Sequence, residues 1–296
     1  MSLLLRALTK VEKFRALIPG AVQVLPMDLD RDWPDIEALM RAEEWPFVRG
    51  DLELGEAQTH GTSFIARQDG RFAAFFTTFM FGRIGYLDMF IIHPDFRSKG
   101  IARPLYFRAI EALQSAGATG LACHSTNDSA RLIKILGFTP GRTFTMYVRE
   151  PGDAPAGPAL AAVDPARYQA LDTEIFGVAR PAWTAHLTGD PGVDIVGYGS
   201  AVVALRPKIG GFTLDQMLAP DPAEIGPLVD GVIAKHGATS TLMVSCTTGG
   251  ALEAVLKARG FIVPDFFVPI GLLLEWREGD TEPVGRSDAI QSVLWL

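Results

Sequence analysis

The chain has 296 residues, 48% hydrophobic and 21% charged, a balance that supplies ample core and allows one large domain or two ordinary ones. A formal charge of −7 and a pI near 5.3 argue against a general nucleic-acid binder, which needs a basic face. Two cysteines, Cys123 and Cys246, are too few for a disulfide framework and fit a reducing, cytoplasmic setting, and no apolar run has the length of a membrane span.

In chain order, Met1 to Gly20 is basic and carries Leu4, Leu8, Val11 and Ile18 at roughly helical spacing. It reads as a short helix packed on the domain, with a transit peptide or a membrane-surface helix as alternatives. A helical pattern around Trp33 to Ala42 precedes strands near Ser63 to Arg67 and Arg71 to Phe79, joined by an Asp69-Gly70 turn. A strand over Ile84 to Ile92 follows, then a helix from about Gly100 to Ala116. Strand Leu121 to Ser125, a helix over Ser129 to Leu136 and strand Phe144 to Val148 complete this half. The alternation predicts an α/β or α+β sheet protein.

The second half repeats the plan. Cys123 to Gly137-Phe138 and Cys246 to Gly260-Phe261 have identical spacing, with Lys134 and Lys257 at the same offset. Upstream, Gly117-Ala118-Thr119 matches Gly237-Ala238-Thr239, and Leu87-Asp88 then Pro94-Asp95 matches Leu214-Asp215 then Pro220-Asp221. The Pro/Gly/Ala-rich stretch 151–162 reads as a linker between a domain over 1–150 and one over 163–296.

The most informative segment runs from Tyr86 to Ala102. A strand enters a short loop holding Arg97, Ser98, Lys99 and Gly100, and a helix opens at once with Ile101 and Ala102. Helix N-termini carry unpartnered amides and partial positive charge, so such a loop is an anion nest that glycine lets a phosphate approach. The histidines His60, His93, His124, His186 and His236 have no metal spacing, so no metal is expected.

Arg97-Ser-Lys-Gly100-Ile-Ala102 resembles the pyrophosphate loop of the GNAT acetyltransferase superfamily, [Q/R]-x-x-G-x-[G/A]. His93-Pro94-Asp95 stands where that family has its turn after the fourth strand. Asn127, followed by Leu136-Gly137-Phe138, is similar to its later motif, and the likeness covers about Asp30 to Glu150. The resemblance implies two GNAT-like domains, each a mixed, mostly antiparallel sheet flanked by helices, with acetyl-CoA as co-substrate. It implies contacts to that co-substrate from Phe90, Ile91, Ile92, the loop residues 97–102 and Asn127. It also places Asp88 as general base, on one strand face with Tyr86, Phe90 and Ile92; a structural aspartate that hydrogen-bonds a loop is the other reading. The family's tyrosine acid is replaced by Ile133, leaving Ser125, His124 or a water to protonate the thiolate.

Glu43, Glu44 and Trp45 lie where the family's acceptor side sits, and serve either a cationic amine or a solvated helix end. In the second half the span from Pro94 to Gly117, 23 positions, shrinks to 17 between Pro220 and Gly237, and the basic loop is lost. Coenzyme A binding is therefore not expected there. Phe176, Arg180 and Trp183 either line an acceptor pocket at the junction or pack the domain. The expected function is N-acetyl transfer to a small-molecule amine, without nucleic acid or membrane partners and with a homodimer open. The alternative is a catalytically silent acyl-CoA sensor or scaffold.

Overall fold

The computed structural model describes residues 22–45, 48–59, 62–125, 138–177, 179–264 and 271–277. The N-terminal segment 1–20, Asn127, Ile133 and the expected helix 129–136 lie outside these.

The first half begins with β1 (Gln23–Pro26) and α1 (Leu29–Ala42). Asp28 caps α1 by accepting from the amides of Asp30 and Arg31 at 3.1 and 3.2 Å. Ile36, Leu39 and Met40, at helical spacing, are buried. Next comes α2 (Arg49–Thr59), which the sequence reading did not include. Gly50 and Gly55 weaken its helical signal, and packing against the sheet overrides that propensity.

Strands β2 (Phe64–Gln68) and β3 (Arg71–Phe81) meet at Asp69-Gly70, whose φ values of 52° and 76° form the expected tight hairpin turn. Strand β4 covers Ile84–Ile92 as predicted, and α3 covers Ala102–Ser115. It buries Leu105, Tyr106, Ala109, Ile110 and Leu113. Strands β5 (Gly120–Ser125) and β6 (Thr139–Arg149) complete this part of the chain.

Residues 151–160 have no regular structure and lead into β7 (Ala161–Ala162). A Cβ at Gly157 would stand 2.4 Å from the Asp230 carbonyl oxygen, so this stretch lies directly on the second half. There follow α4 (Pro165–Phe176), α5 (Pro181–Gly189), β8 (Asp194–Tyr198), β9 (Ala201–Lys208) and β10 (Gly211–Leu218). Then come α6 (Ile225–His236), β11 (Thr241–Thr247), α7 (Ala251–Lys257) and β12 (Gly271–Arg277).

Among the described residues twelve strands form one sheet, ordered β1-β2-β3-β4-β5-β12-β6-β11-β10-β9-β8-β7. Pairs β4–β5 and β10–β11 are parallel and the others antiparallel, which gives the mixed character expected of each half. The closing strands are exchanged. β12 pairs with β5 in the first half-sheet, β6 pairs with β11 in the second, and a β6–β12 pair joins them. Two sheets therefore become one, and their inner edges are buried in each other.

Three apolar clusters hold the helices to this sheet. One packs α3 against β2–β5 and one packs α6 and α7 against β8–β11. The third spans both halves, joining Ile36, Met40, Leu52, Phe75 and Met89 to Tyr168, Trp183, Leu187 and Leu218. Burying a side chain such as Leu52 contributes roughly 1.5–3 kcal/mol, so this shared cluster fixes α1, α2, α4 and α5 against one another.

Candidate active site

The site begins where β4 and β5 part. Their parallel pairing runs from Ile84↔Gly120 to Leu87↔Cys123, and among the described residues no strand pairs with β4 on that side from there to Ile92. On its other side the His93 amide donates to the Ala73 carbonyl at 2.9 Å. Antiparallel alternation then turns the Ile91 backbone groups toward Phe75 in β3, and those of Phe90 and Ile92 toward the opening. Of these three residues, the backbone amides of Phe90 and Ile92 face the opening, and the Ile91 amide is turned to β3 within the sheet.

Beyond β4, Pro94–Phe96 makes a 3₁₀ turn and the chain passes through Arg97, Ser98, Lys99 and Gly100 into α3. Ser98 and Gly100 have φ of 61° and 82°, with Ile101 right-handed at −65°. Left-handed residues alternating with ordinary ones turn successive amides to one side, which is the geometry of an anion-binding nest. A serine at positive φ is strained, so the loop's shape is imposed by its surroundings. No side chain caps α3, which leaves its first amides and its dipole directed at the same point.

Arg97, Ser98, Lys99 and Gly100 are exposed, while Ile101 is buried and anchors the helix start in the α3 cluster. Lys99 Nζ and Arg71 Cζ lie 5.5 and 4.9 Å from the Phe96 ring centre. Arg97 donates from Nε to the Ile92 carbonyl at 3.2 Å and from Nη2 to Glu43, at the end of α1. The loop is thereby tied to the helix that leads into Glu44 and Trp45.

Asp88 stands at the mouth of the opening, inside a β-bulge, because Phe90 pairs with Phe76 and Leu87 with Thr78, leaving Asp88 and Met89 opposite Thr77 alone. The bulge overturns the strand alternation expected from the sequence. Tyr86 stacks on Phe79 at 4.9 Å and joins the shared cluster, whereas Phe90 and Ile92 join the α3 side, Phe90 at 5.0 Å from Tyr106. They do not share a face.

Asp88 Oδ2 accepts from Thr77 Oγ1 at 3.1 Å, and Thr77 Oγ1 accepts from the Met89 amide at 3.0 Å. Burial pushes its carboxyl well above the usual carboxylate range, opposed by the Met89 amide and the Thr77 hydroxyl. The residue remains partly open to solvent.

The second half shows what the same position becomes without this chemistry. Strand β10 bulges after Asp215, and its parallel pairing with β11 ends at Thr213. Leu214 pairs with Leu205 as Leu87 pairs with Thr78, so Asp215 matches Asp88, Arg206 matches Phe79 and Lys208 matches Phe81. Asp215 Oδ2 accepts from Arg206 Nη1 at 3.1 Å and is wholly buried. Where the first half has its loop, the second has a 3₁₀ turn, Pro222–Glu224, running straight into α6. The Glu224 carboxylate takes the amides of Ser200 and Ala201 at 2.8 and 2.9 Å, placing negative charge where the first half has Arg97 and Lys99.

Among the acceptor-side candidates, Glu44 is exposed with φ of 56° and Trp45 is partly buried against the shared cluster. Arg180 is remote from any open surface. It is 1% exposed, paired with Asp172 and Gln216, and lies 5.2 Å from the Trp183 ring centre. Of the two readings of Arg180 and Trp183, packing describes what they do. Ser125 lies at the end of β5, on the far side of the opening from Asp88. Among the described residues no group of three or more His, Cys, Asp or Glu is arranged to hold a metal, and no helix is long and apolar enough to cross a membrane.

Residues 29–138 match the model of the Acetyltransferase (GNAT) family. That match lies within the first half of the chain, and the family it describes carries out acyl transfer. The second half repeats the strand and helix plan of the first. A Pyrococcus horikoshii protein assigned as an acetyltransferase is similar over 94% of this chain and 95% of its own, at 12% identity and a TM-score of 0.77. A GCN5-related N-acetyltransferase from Sphaerobacter thermophilus is similar over 88% and 97%, at 16% identity and a TM-score of 0.61. A tandem GNAT protein of the clavulanic acid biosynthesis pathway is similar over 88% and 100%, at 14% identity and a TM-score of 0.61. At these identities the likeness establishes the fold. No curated protein matches the sequence.

Proposed function

We propose that the first half, within residues 1–150, transfers an acetyl group from acetyl-CoA to the primary amine of a small molecule, and that residues 163–296 bind no coenzyme A. The observation that carries this reading is the succession, along one strand and the loop that follows it, of Asp88, the amides of Phe90 and Ile92 turned away from β3, and the nest at Ser98–Ala102. Pyrophosphate suits the nest, with Lys99 adding charge. An extended pantetheine arm suits the open edge of β4, where a thioester oxygen would find an amide of Phe90 or Ile92 as negative charge develops.

The amine nitrogen attacks the thioester carbonyl, the C–S bond breaks, and the sulfur leaves as thiolate to become the free thiol. Asp88 accepts the proton that the amine loses. Its raised pKa, caused by burial, makes the ionised carboxylate a stronger base than an ordinary one. Asp215 cannot do the same, because Arg206 holds its carboxylate in an ion pair.

The test is thiol release from acetyl-CoA with a panel of benzylamine, tryptamine, spermidine and glucosamine. Turnover of at least one amine, abolished by heat denaturation, is expected. Binding of acetyl-CoA without thiol release from any amine would favour the silent sensor or scaffold instead.

A further inference from the structure

Buried charges cross the junction between the halves. In α2 of the first half, Asp51 is fully buried and its Oδ2 accepts the Val48 amide at 2.7 Å. Its Oδ1 receives two cations from β9 of the second half, Arg206 Nη2 and Lys208 Nζ, the latter at 2.5 Å. Arg206 uses its other nitrogen on Asp215. Two acidic and two basic side chains thus meet inside protein, with Arg206 and Lys208 only 5% and 8% exposed, and burial and the neighbouring Arg206 push the Lys208 amine well below its ordinary range.

Removing one partner from such a group leaves a buried charge uncompensated, so the set tolerates few displacements. Asp51 is therefore fixed from the second half, and through the Val48 amide so is the point where the chain enters α2. Val48 lies three residues beyond Trp45 and four beyond Glu44, the acceptor-side candidates. The first-half counterparts of Arg206 and Lys208 are Phe79 and Phe81. At the first of these positions the apolar Phe79 packs in the shared cluster, and a buried cation in its place requires another explanation.

We propose that Arg206 and Lys208 are positioning residues: through Asp51 they hold the entry to α2 in the geometry that receives the acceptor amine. The second half is then part of the transferase site although it binds neither acetyl-CoA nor the reacting atoms. This rests on the acetyl-transfer reading for its kinetic consequence, but not for its structural one.

The test uses the full chain with Lys208→Met, Lys208→Arg and Arg206→Met. In Lys208→Met, Arg206 still spans Asp51 and Asp215, so this variant carries the test if Arg206→Met does not fold. Amide exchange over residues 48–59 is expected to rise about tenfold or more, with α6 unchanged, because the loss is local. The acetyl-CoA Kd should stay within about twofold, while KM for the panel amine turned over fastest rises about tenfold and kcat changes less than about threefold. Lys208→Arg should restore most of the KM.

Exchange in Lys208→Met that is unchanged, or raised evenly along the chain, would overturn the proposal. So would a KM unaltered despite a loosened α2. If no amine is turned over by the unaltered chain, the acetyl-transfer reading fails on its own, and a local rise in exchange still supports the junction's hold on α2.

Discussion

Asp88→Asn separates catalysis from stability at a single atom. Asparagine keeps an oxygen to accept from Thr77 Oγ1, so the 3.1 Å bond and the bulge survive. What is lost is the ability to take a proton, and a general base contributes about 10²–10⁴-fold, or roughly 2.7–5.5 kcal/mol of barrier. The stability change has the opposite sign. A carboxyl whose pKa is raised on folding binds its proton more tightly in the native state than in the unfolded one. Its ionisation therefore weakens the fold as pH rises through and beyond the ordinary carboxylate range, and this penalty is absent below it. Asparagine removes the penalty, at about 1.4 kcal/mol for each unit of displacement.

Thiol-release kinetics should show kcat down by about 100-fold or more, with acetyl-CoA affinity little changed. Thermal unfolding at pH 8 should show Tm raised by about 2 °C or more, and the gain should vanish near pH 3.5. A kcat within about threefold of the unaltered chain would refute the base assignment. A Tm lowered equally at both pH values would make Asp88 a structural aspartate.

Trp183 is fully buried between the halves, its ring centre 6.0 Å from that of Phe79, so Trp183→Ala should lower unfolding free energy by about 3–5 kcal/mol in urea titration. A loss under about 1 kcal/mol would contradict the shared cluster's role. Cys123 and Cys246 are both buried thiols outside any disulfide, and burial pushes the Cys246 thiol up to about 12. A chromogenic disulfide should therefore react with neither thiol in the native chain and with both in denaturant; prompt reaction of either one would count against this packing.

The parts of the site legible in the sequence are those set by local rules. Apolar residues bounded by Gly82 and Pro94 fix β4, and a glycine after two cations at a helix start marks the nest. The Asp69-Gly70 turn follows from the residues that tolerate positive φ. The repeat was legible too, since Leu87-Asp88 and Leu214-Asp215 occupy matching places, with β4 bulging at Asp88 and β10 just after Asp215.

What escaped depends on contacts distant in sequence. The bulge at Asp88 is a two-residue against one-residue mismatch with β3, and neither strand's composition announces it. The exchange of β6 and β12 is a matter of partner choice between strands more than a hundred residues apart. Arg206 and Lys208 end a strand reading Ala-Val-Val-Ala-Leu-Arg-Pro-Lys, a pattern that suggests an exposed tip. They are buried because Asp51 stands opposite them, 155 residues earlier in the case of Arg206. Two cations at alternate positions of an apolar strand were the available signal.

The most direct test of the account is calorimetric titration of acetyl-CoA into the unaltered chain and into Gly100→Glu. Gly100 sits at φ 82°, where any side chain strains the loop, and a carboxylate there adds repulsion to the pyrophosphate. Saturable binding of one acetyl-CoA per chain is predicted, weakened about 100-fold or more in Gly100→Glu, which should still unfold cooperatively with a stability loss of about 1–3 kcal/mol from the strained loop. Equal binding by both would place the co-substrate elsewhere, and no binding by the unaltered chain would contradict the assignment of the first half as an acetyl-CoA site.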